Sequence, residues 1–166
     1  MTQDIQFNAG DFVVYPAHGV GRVDGTETLT IGGQEINLYT VVFEKDRMRL
    51  KVPVDKVANS GLRKLSSKDL IKDAIETLHG RARSRRTMWS RRAQEYEGKI
   101  NSGDPIQIAE VLRDLRRNAE NTEQSYSERQ IYQSALERLA REVACVENIE
   151  ECQAARKLES VLTMAA

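Results

Sequence analysis

The period of the hydrophobic pattern changes near residue 66 of this 166-residue chain. Before that point, apolar residues alternate with polar ones or form short runs between glycine-containing turns. After it, they recur every three or four residues, which is the spacing of one face of a helix. The change predicts an α+β chain of two domains, a β domain at residues 1–65 and a compact all-α bundle at residues 66–166.

Four strands are predicted in the first domain. They cover residues 11–16, 20–29, 36–43 and 47–54. The first two strands are joined by a turn in which Gly19 and Gly21 can take a positive φ, and the next two by a hairpin turn at Gly32 and Gly33. Several short strands in one small domain indicate a small, partly open β barrel.

The fourth predicted strand alternates most regularly. Its apolar side is formed by Met48, Leu50, Val52 and Val54. The opposite side carries Arg47, Arg49 and Lys51, because successive side chains of a strand point to opposite faces. Pro53 cannot donate to a strand ladder, so the strand ends there or lies on an edge. The basic row is either a contact for an acidic protein surface or an ordinary solvated face.

Capping and stop signals divide the second domain into four or five helices. The predicted N-terminal signals are Ser66 with Asp69, Asp104 with Pro105, and capping boxes at residues 127–130 and 148–151. Gly80 is predicted to end the first helix, since glycine is the usual residue after a helix C-terminus. Loops of a few residues between such helices are typical of a bundle.

The only tryptophan, Trp89, lies within a local excess of arginine. The arginines are Arg81, Arg83, Arg85, Arg86, Arg91 and Arg92. Guanidinium groups grip phosphate bidentately, and an aromatic ring among them can stack on a base or wedge between base steps. Two plainer interpretations stay open. Trp89 also belongs to an apolar helical stripe with Ala93, Tyr96 and Ile100, and the arginines could form a basic loop without specific contacts.

Composition excludes several classes of function. The formal net charge is zero, so any nucleic-acid site must be a local patch. We expect a cytoplasmic protein without a secretory signal or membrane partner, in which Cys145 and Cys152 are reduced core residues. His18 is predicted to be a turn residue, His79 lies at a helix end, and neither belongs to a catalytic motif. We therefore expect no enzyme activity and no metal or cofactor.

Segments along the whole chain resemble one family. They are residues 10–23 (GDFVVYPAHGVGRV), 50–54 (LKVPV), 89–92 (WSRR), 102–104 (SGD) and 109–115 (AEVLRDL). They resemble the CarD/CdnL family of bacterial transcription regulators, whose N-terminal module also occurs as a polymerase-interaction domain in transcription-repair coupling factors. WSRR separates this chain from those repair factors, which lack the helical domain.

The resemblance implies a Tudor-like N-terminal domain that binds the β subunit of RNA polymerase. It implies a helical domain that contacts promoter DNA at the upstream edge of the melted region. Trp89 aligns with the family's wedge tryptophan, and Lys51 aligns with a basic position that contacts polymerase. One family member has a basic residue where this chain has Leu29, so Leu29 supplies no charge to such an interface.

These observations predict a monomeric transcription regulator that stabilises the open promoter complex. Polymerase is expected to contact Arg47, Arg49, Lys51 and Pro53, and DNA to contact Trp89 and the six arginines around it. One alternative is a protein–protein adaptor whose helical domain binds a protein partner. Another is an RNA-binding barrel that exposes the aromatic residues Phe12 and Tyr15.

Overall fold

The computed structural model describes residues 7–16, 18–43, 47–80, 88–119 and 125–164. The chain divides into two compact units, residues 1–65 and residues 66–166. The first unit is built from strands and the second from helices, which confirms the predicted α+β class with two domains. None of the described helices is long and apolar enough to cross a membrane.

The described residues of the β unit form one antiparallel sheet of five strands. The strands are β1 (Phe12–Tyr15), β2 (Gly19–Ile31), β3 (Gln34–Phe43), β4 (Met48–Pro53) and β5 (Arg63–Lys64). Their order in the sheet is β4-β3-β2-β1-β5, so β4 and β5 are edges. No described pairing joins the two edge strands, so the sheet does not close, and the predicted partly open barrel is observed as an open sheet. A short helix, α1 (Val57–Ser60), precedes β5. The sequence pattern predicted neither of these two elements.

Two pairs of glycines shape the sheet in different ways. Gly32 and Gly33 have φ values of 59° and 81° and connect β2 to β3 as a two-residue hairpin turn, as predicted. Gly19 has the expected positive φ of 82°, but Gly21 does not. A Cβ on Gly21 would lie 2.8 Å from side-chain atoms of both Val41 and Phe43. Gly21 is thus required for close packing rather than for a turn.

Five helices lie in the described part of the helical unit. They are α2 (Lys68–Leu78), α3 (Trp89–Asn101), α4 (Pro105–Ala119), α5 (Tyr126–Glu147) and α6 (Glu151–Met164). Their apolar faces meet in one core, in which Leu112, Leu115, Leu139 and Leu158 are fully buried. Cys145 is half-buried and Cys152 is exposed, so the prediction that both cysteines are core residues is wrong for Cys152.

The predicted caps are partly wrong. Asp104 is confirmed, because its carboxylate accepts from the Ile106 amide at 2.9 Å. The first helix is capped by Ser67, whose hydroxyl accepts from the Leu70 amide, rather than by Ser66. The capping serine of α5 is Ser125, two residues before the predicted capping box at 127–130.

Asn148 also has a different role from the predicted one. It does not open a capping box for α6 but ends α5 in the left-handed conformation, with a φ of 57°. Asparagine is among the few non-glycine residues that take this conformation readily. The Ile149 amide then donates to the Ala144 carbonyl at 3.0 Å, which satisfies a carbonyl at the helix end.

Candidate functional site

Trp89 is the first residue of α3 and is half-buried. Its inner side packs against the core of the helical unit. The ring centroid lies 6.3 Å from that of Tyr96 at an interplanar angle of 51°, a tilted aromatic contact. The core interpretation is therefore confirmed in part, because Trp89 contributes to packing while part of its ring stays accessible. The DNA contact of Trp89 stays a prediction.

Arg92 lies against both rings. Its guanidinium carbon is 5.5 Å from the Trp89 centroid and 6.0 Å from the Tyr96 centroid. Both distances are within the range of cation–π attraction, and a guanidinium can stack on an aromatic face while its N–H groups still reach outward. Arg92 therefore fixes the orientation of Trp89 and adds positive charge next to the ring.

The start of α3 is electropositive apart from these side chains. No acidic residue occurs in its first turn, and Arg91 is exposed there. Among the described residues, no carboxylate is paired with Arg91 or Arg92. The positive end of the helix dipole therefore adds to two cations that have no carboxylate partner in the described part of the chain, an arrangement that favours an anion.

The remaining arginines of the predicted DNA site lie outside the described residues. They are Arg81, Arg83, Arg85 and Arg86. Of the seven side chains predicted to contact DNA, the structure therefore brings together Trp89, Arg91 and Arg92 at one end of α3.

The basic row of β4 has a different electrostatic environment. Lys51 Nζ lies 3.0 Å from Glu27, and Arg49 Nη1 lies 3.9 Å from Asp24. All four side chains are largely solvent-accessible, so each pair is worth at most about 1 kcal/mol. The row is exposed as predicted, but these two cations are already paired with acids of β2.

Arg47 immediately precedes β4, and Pro53 ends it. Arg47 is exposed and has a positive φ of 49°, whereas Pro53 is half-buried and is the last residue of the strand. Among the described residues, no strand pairs with the outer side of β4. Its backbone amides and carbonyls are available for an added strand of a partner, up to the proline that stops such pairing.

Phe12 and Tyr15 do not form a single aromatic surface. Residues three apart on a strand point to opposite faces. Phe12 is 47% exposed, whereas Tyr15 packs edge-on against Phe43 with centroids 6.4 Å apart. His18 lies in a turn, as predicted, where its amide donates to the Tyr15 carbonyl at 3.0 Å and its ring stacks on that of Tyr15 at 5.5 Å. The arrangement gives no support to an aromatic RNA-binding platform.

Among the described residues, the titratable groups form neither a reactive cysteine site nor a metal site. Burial and the nearby carboxylates of Glu142 and Glu151 raise the pKa of the Cys145 thiol, which disfavours the nucleophilic thiolate. No group of three or more histidine, cysteine, aspartate or glutamate side chains in the described part of the chain is positioned to hold a metal ion.

Three relevant residues were missed by the sequence reasoning. Asp24 and Glu27 pair with the basic row, but only the register of β2, β3 and β4 together reveals them. Met88 precedes Trp89 and is 75% exposed, the highest value among the exposed large hydrophobic residues of the described chain. A methionine immediately before a predicted helix start, where a capping residue is preferred, is a signal that the sequence does contain.

Two family models match the chain. The model of the CarD-like/TRCF RID domain matches residues 7–66, and the model of the CarD C-terminal domain matches residues 73–159. A Bacillus subtilis (strain 168) protein named "Putative transcription factor YdeB" is 26% identical over 147 residues, which cover 89% of this chain and 96% of that protein. A solved structure, CdnLNt from Myxococcus xanthus, is 35% identical and covers 41% of this chain and 96% of its own, with a TM-score of 0.33.

Proposed function

The chain belongs to the CarD family, and on that premise we propose that it is a transcription factor that stabilises the open promoter complex. Its β unit binds the β subunit of RNA polymerase, and its helical unit binds promoter DNA at the upstream edge of the melted region. The observation that carries the proposal is the position of Trp89, a half-exposed ring held by Tyr96 and Arg92 at the start of α3.

Trp89 acts as a wedge at the distorted minor groove. Unstacking a base step costs a few kcal/mol, so an apolar ring binds more favourably where the DNA is already opened. Because Tyr96 and Arg92 restrict the ring before binding, little conformational entropy is lost when it contacts DNA. A ligand that binds the open state more tightly shifts the promoter toward it, and about 1.4 kcal/mol of preference changes the population ratio tenfold.

The arginines hold the helical unit on the DNA backbone. Arg91 and Arg92 are proposed to contact phosphates next to the wedge, together with Arg81, Arg83, Arg85 and Arg86. Such contacts release counterions and fix orientation, but they carry little sequence information. The protein is therefore expected to recognise the shape and melting of a promoter rather than a base sequence.

The β unit, which we propose to be Tudor-like, tethers the protein to polymerase. The outer edge of β4 accepts a strand of the β subunit, and Arg47, Arg49, Lys51 and Pro53 lie along that strand. Tethering raises the effective concentration of the DNA site, so a weak DNA contact is sufficient at the promoter. We propose a monomer as the active form.

The decisive experiment compares open-complex lifetimes on one promoter with purified polymerase holoenzyme. The wild-type protein is expected to lengthen the open-complex lifetime. With Trp89→Ala this increase in lifetime should be about tenfold smaller, because the wedge contact is removed. Polymerase affinity should stay unchanged, since Trp89 lies in the other unit. Trp89→Phe keeps an aromatic ring and is expected to retain part of the effect.

Two outcomes would contradict the proposal. A wild-type protein that binds polymerase but leaves the lifetime unchanged would favour the adaptor alternative. A Trp89→Ala variant that unfolds, together with a folded Trp89→Phe variant of full activity, would assign Trp89 to the core alone. Because Trp89 is the only tryptophan, its fluorescence reports directly whether forked DNA approaches this residue.

A further inference from the structure

Met88 is the most exposed of the large hydrophobic residues in the described chain, at 75%. It stands at the N-cap of α3, immediately before Trp89. Scattered exposed apolar residues are common on protein surfaces. Met88 differs from these because it immediately precedes Trp89, the partly exposed tryptophan at the start of the helix.

Met88 is also a poor residue for its position. An N-cap favours a side chain that accepts from a backbone amide, and α2, α4 and α5 follow this rule with Ser67, Asp104 and Ser125. At α3 no side chain caps the helix, and only the Met88 carbonyl accepts, from the amides of Arg91 at 3.1 Å and Arg92 at 3.2 Å. A local rule broken at a functional position suggests a role in function.

We propose that Met88 is a second wedge residue, which packs against the unstacked base step beside Trp89. This inference rests on the proposed function of Trp89. Methionine is among the apolar side chains that insert between base steps, and its unbranched thioether adapts to irregular surfaces. Trp89 supplies a ring held in place by Arg92 and Tyr96, and Met88 supplies a flexible apolar contact on the neighbouring base.

The test separates function from stability with two variants of the full-length protein. Met88→Ser introduces a preferred N-cap, so its thermal unfolding midpoint should equal or exceed that of wild type. It should nevertheless reduce the added open-complex lifetime about fivefold, which corresponds to about 1 kcal/mol of lost apolar contact. Met88→Leu keeps an apolar side chain of similar volume and is expected to retain most of the lifetime effect.

Both variants keep Trp89, so its fluorescence can be used to titrate forked DNA without polymerase. Met88→Ser should weaken that binding about as much as it shortens the lifetime. A Met88→Ser protein with wild-type lifetime and fork affinity would overturn the role of Met88 while leaving that of Trp89 intact. A Trp89→Ala control that retains the full lifetime would instead remove the proposed function, and the inference about Met88 with it.

Discussion

Two basic surfaces of this protein have similar composition and different electrostatics. On β4, Lys51 and Arg49 are paired with Glu27 and Asp24 of β2. At the start of α3, Arg92 packs on aromatic rings and no acidic residue occurs in the first turn. Arg49 and Lys51 therefore have carboxylate partners, whereas Arg91 and Arg92 have none among the residues that the structure describes.

This difference indicates different partners for the two surfaces. Paired cations on a solvent-exposed strand can exchange their carboxylate for one of a bound protein. This exchange gives selectivity but adds little to the binding free energy. Unpaired cations at the positive end of a helix favour phosphate, because counterion release adds to the direct attraction. A count of lysine and arginine in the sequence cannot make this distinction.

The largest expected effect concerns DNA binding. Replacing Arg91 and Arg92 by alanine in one protein should lower the slope of log affinity against log salt by about 2 and weaken binding about thirtyfold near 0.1 M salt. The reason is the loss of two proposed phosphate contacts next to Trp89. Fluorescence anisotropy with a labelled promoter fork, measured at several salt concentrations, gives both quantities.

The matched control removes the same two charges from the other surface. A protein with Arg49→Ala and Lys51→Ala has the same net charge as the α3 variant, so any general electrostatic effect should be equal. We expect its salt slope on DNA to match that of wild type. Equal slopes in the two double variants would mean that the comparison of surfaces does not describe DNA binding.

The second effect concerns polymerase binding. Lys51→Glu should weaken binding to the isolated polymerase β subunit about tenfold, because it places like charge opposite Glu27 and removes a proposed contact. Affinity for forked DNA should not change. Surface plasmon resonance with immobilised β subunit measures the first quantity, and anisotropy measures the second.

A charge swap tests the cause of that loss. Lys51→Glu combined with Glu27→Lys restores an ion pair between the two strands in the reverse orientation. If the swap recovers wild-type affinity, the original loss came from the sheet and not from contact with polymerase. Continued weak binding by a stable swapped protein would support the contact.

Local patterns were sufficient for the fold class and for the order of the longer elements, but they did not predict α1 or β5. The change of period separated strands from helices, and the double glycine at 32–33 predicted the hairpin turn. The error at the first cap arose because two neighbouring residues could each serve as the N-cap. Ser66 and Ser67 are adjacent, and Ser66 instead donates to the buried carboxylate of Glu142 at 2.6 Å. That partner is 76 positions away, so no local pattern could identify it.

The functional residues could be predicted only where they lie close together in the sequence. Trp89 and Arg92 are one helical turn apart, so a helix starting at Trp89 brings them together. The partners of the basic row depend on the pairing of three strands, including a register shift between Val23 and Gly25. Such long-range registers are set by tertiary contacts that the alternating pattern does not encode.

The smallest expected effect is that of Glu27→Ala on polymerase binding, and its direction, stronger or weaker, distinguishes two roles of the ion pair. If polymerase binding requires Lys51 to leave Glu27, then Glu27→Ala removes a competing partner and should strengthen binding about two- to fivefold, the range of an exposed ion pair. Glu35→Ala is the matched control, since Glu35 lies five residues from Thr40, the strand partner of Lys51, and therefore on the opposite face of the sheet. Weaker binding by Glu27→Ala would mean that the pair itself is recognised, and an affinity equal to that of Glu35→Ala would remove the basic row from the polymerase interface.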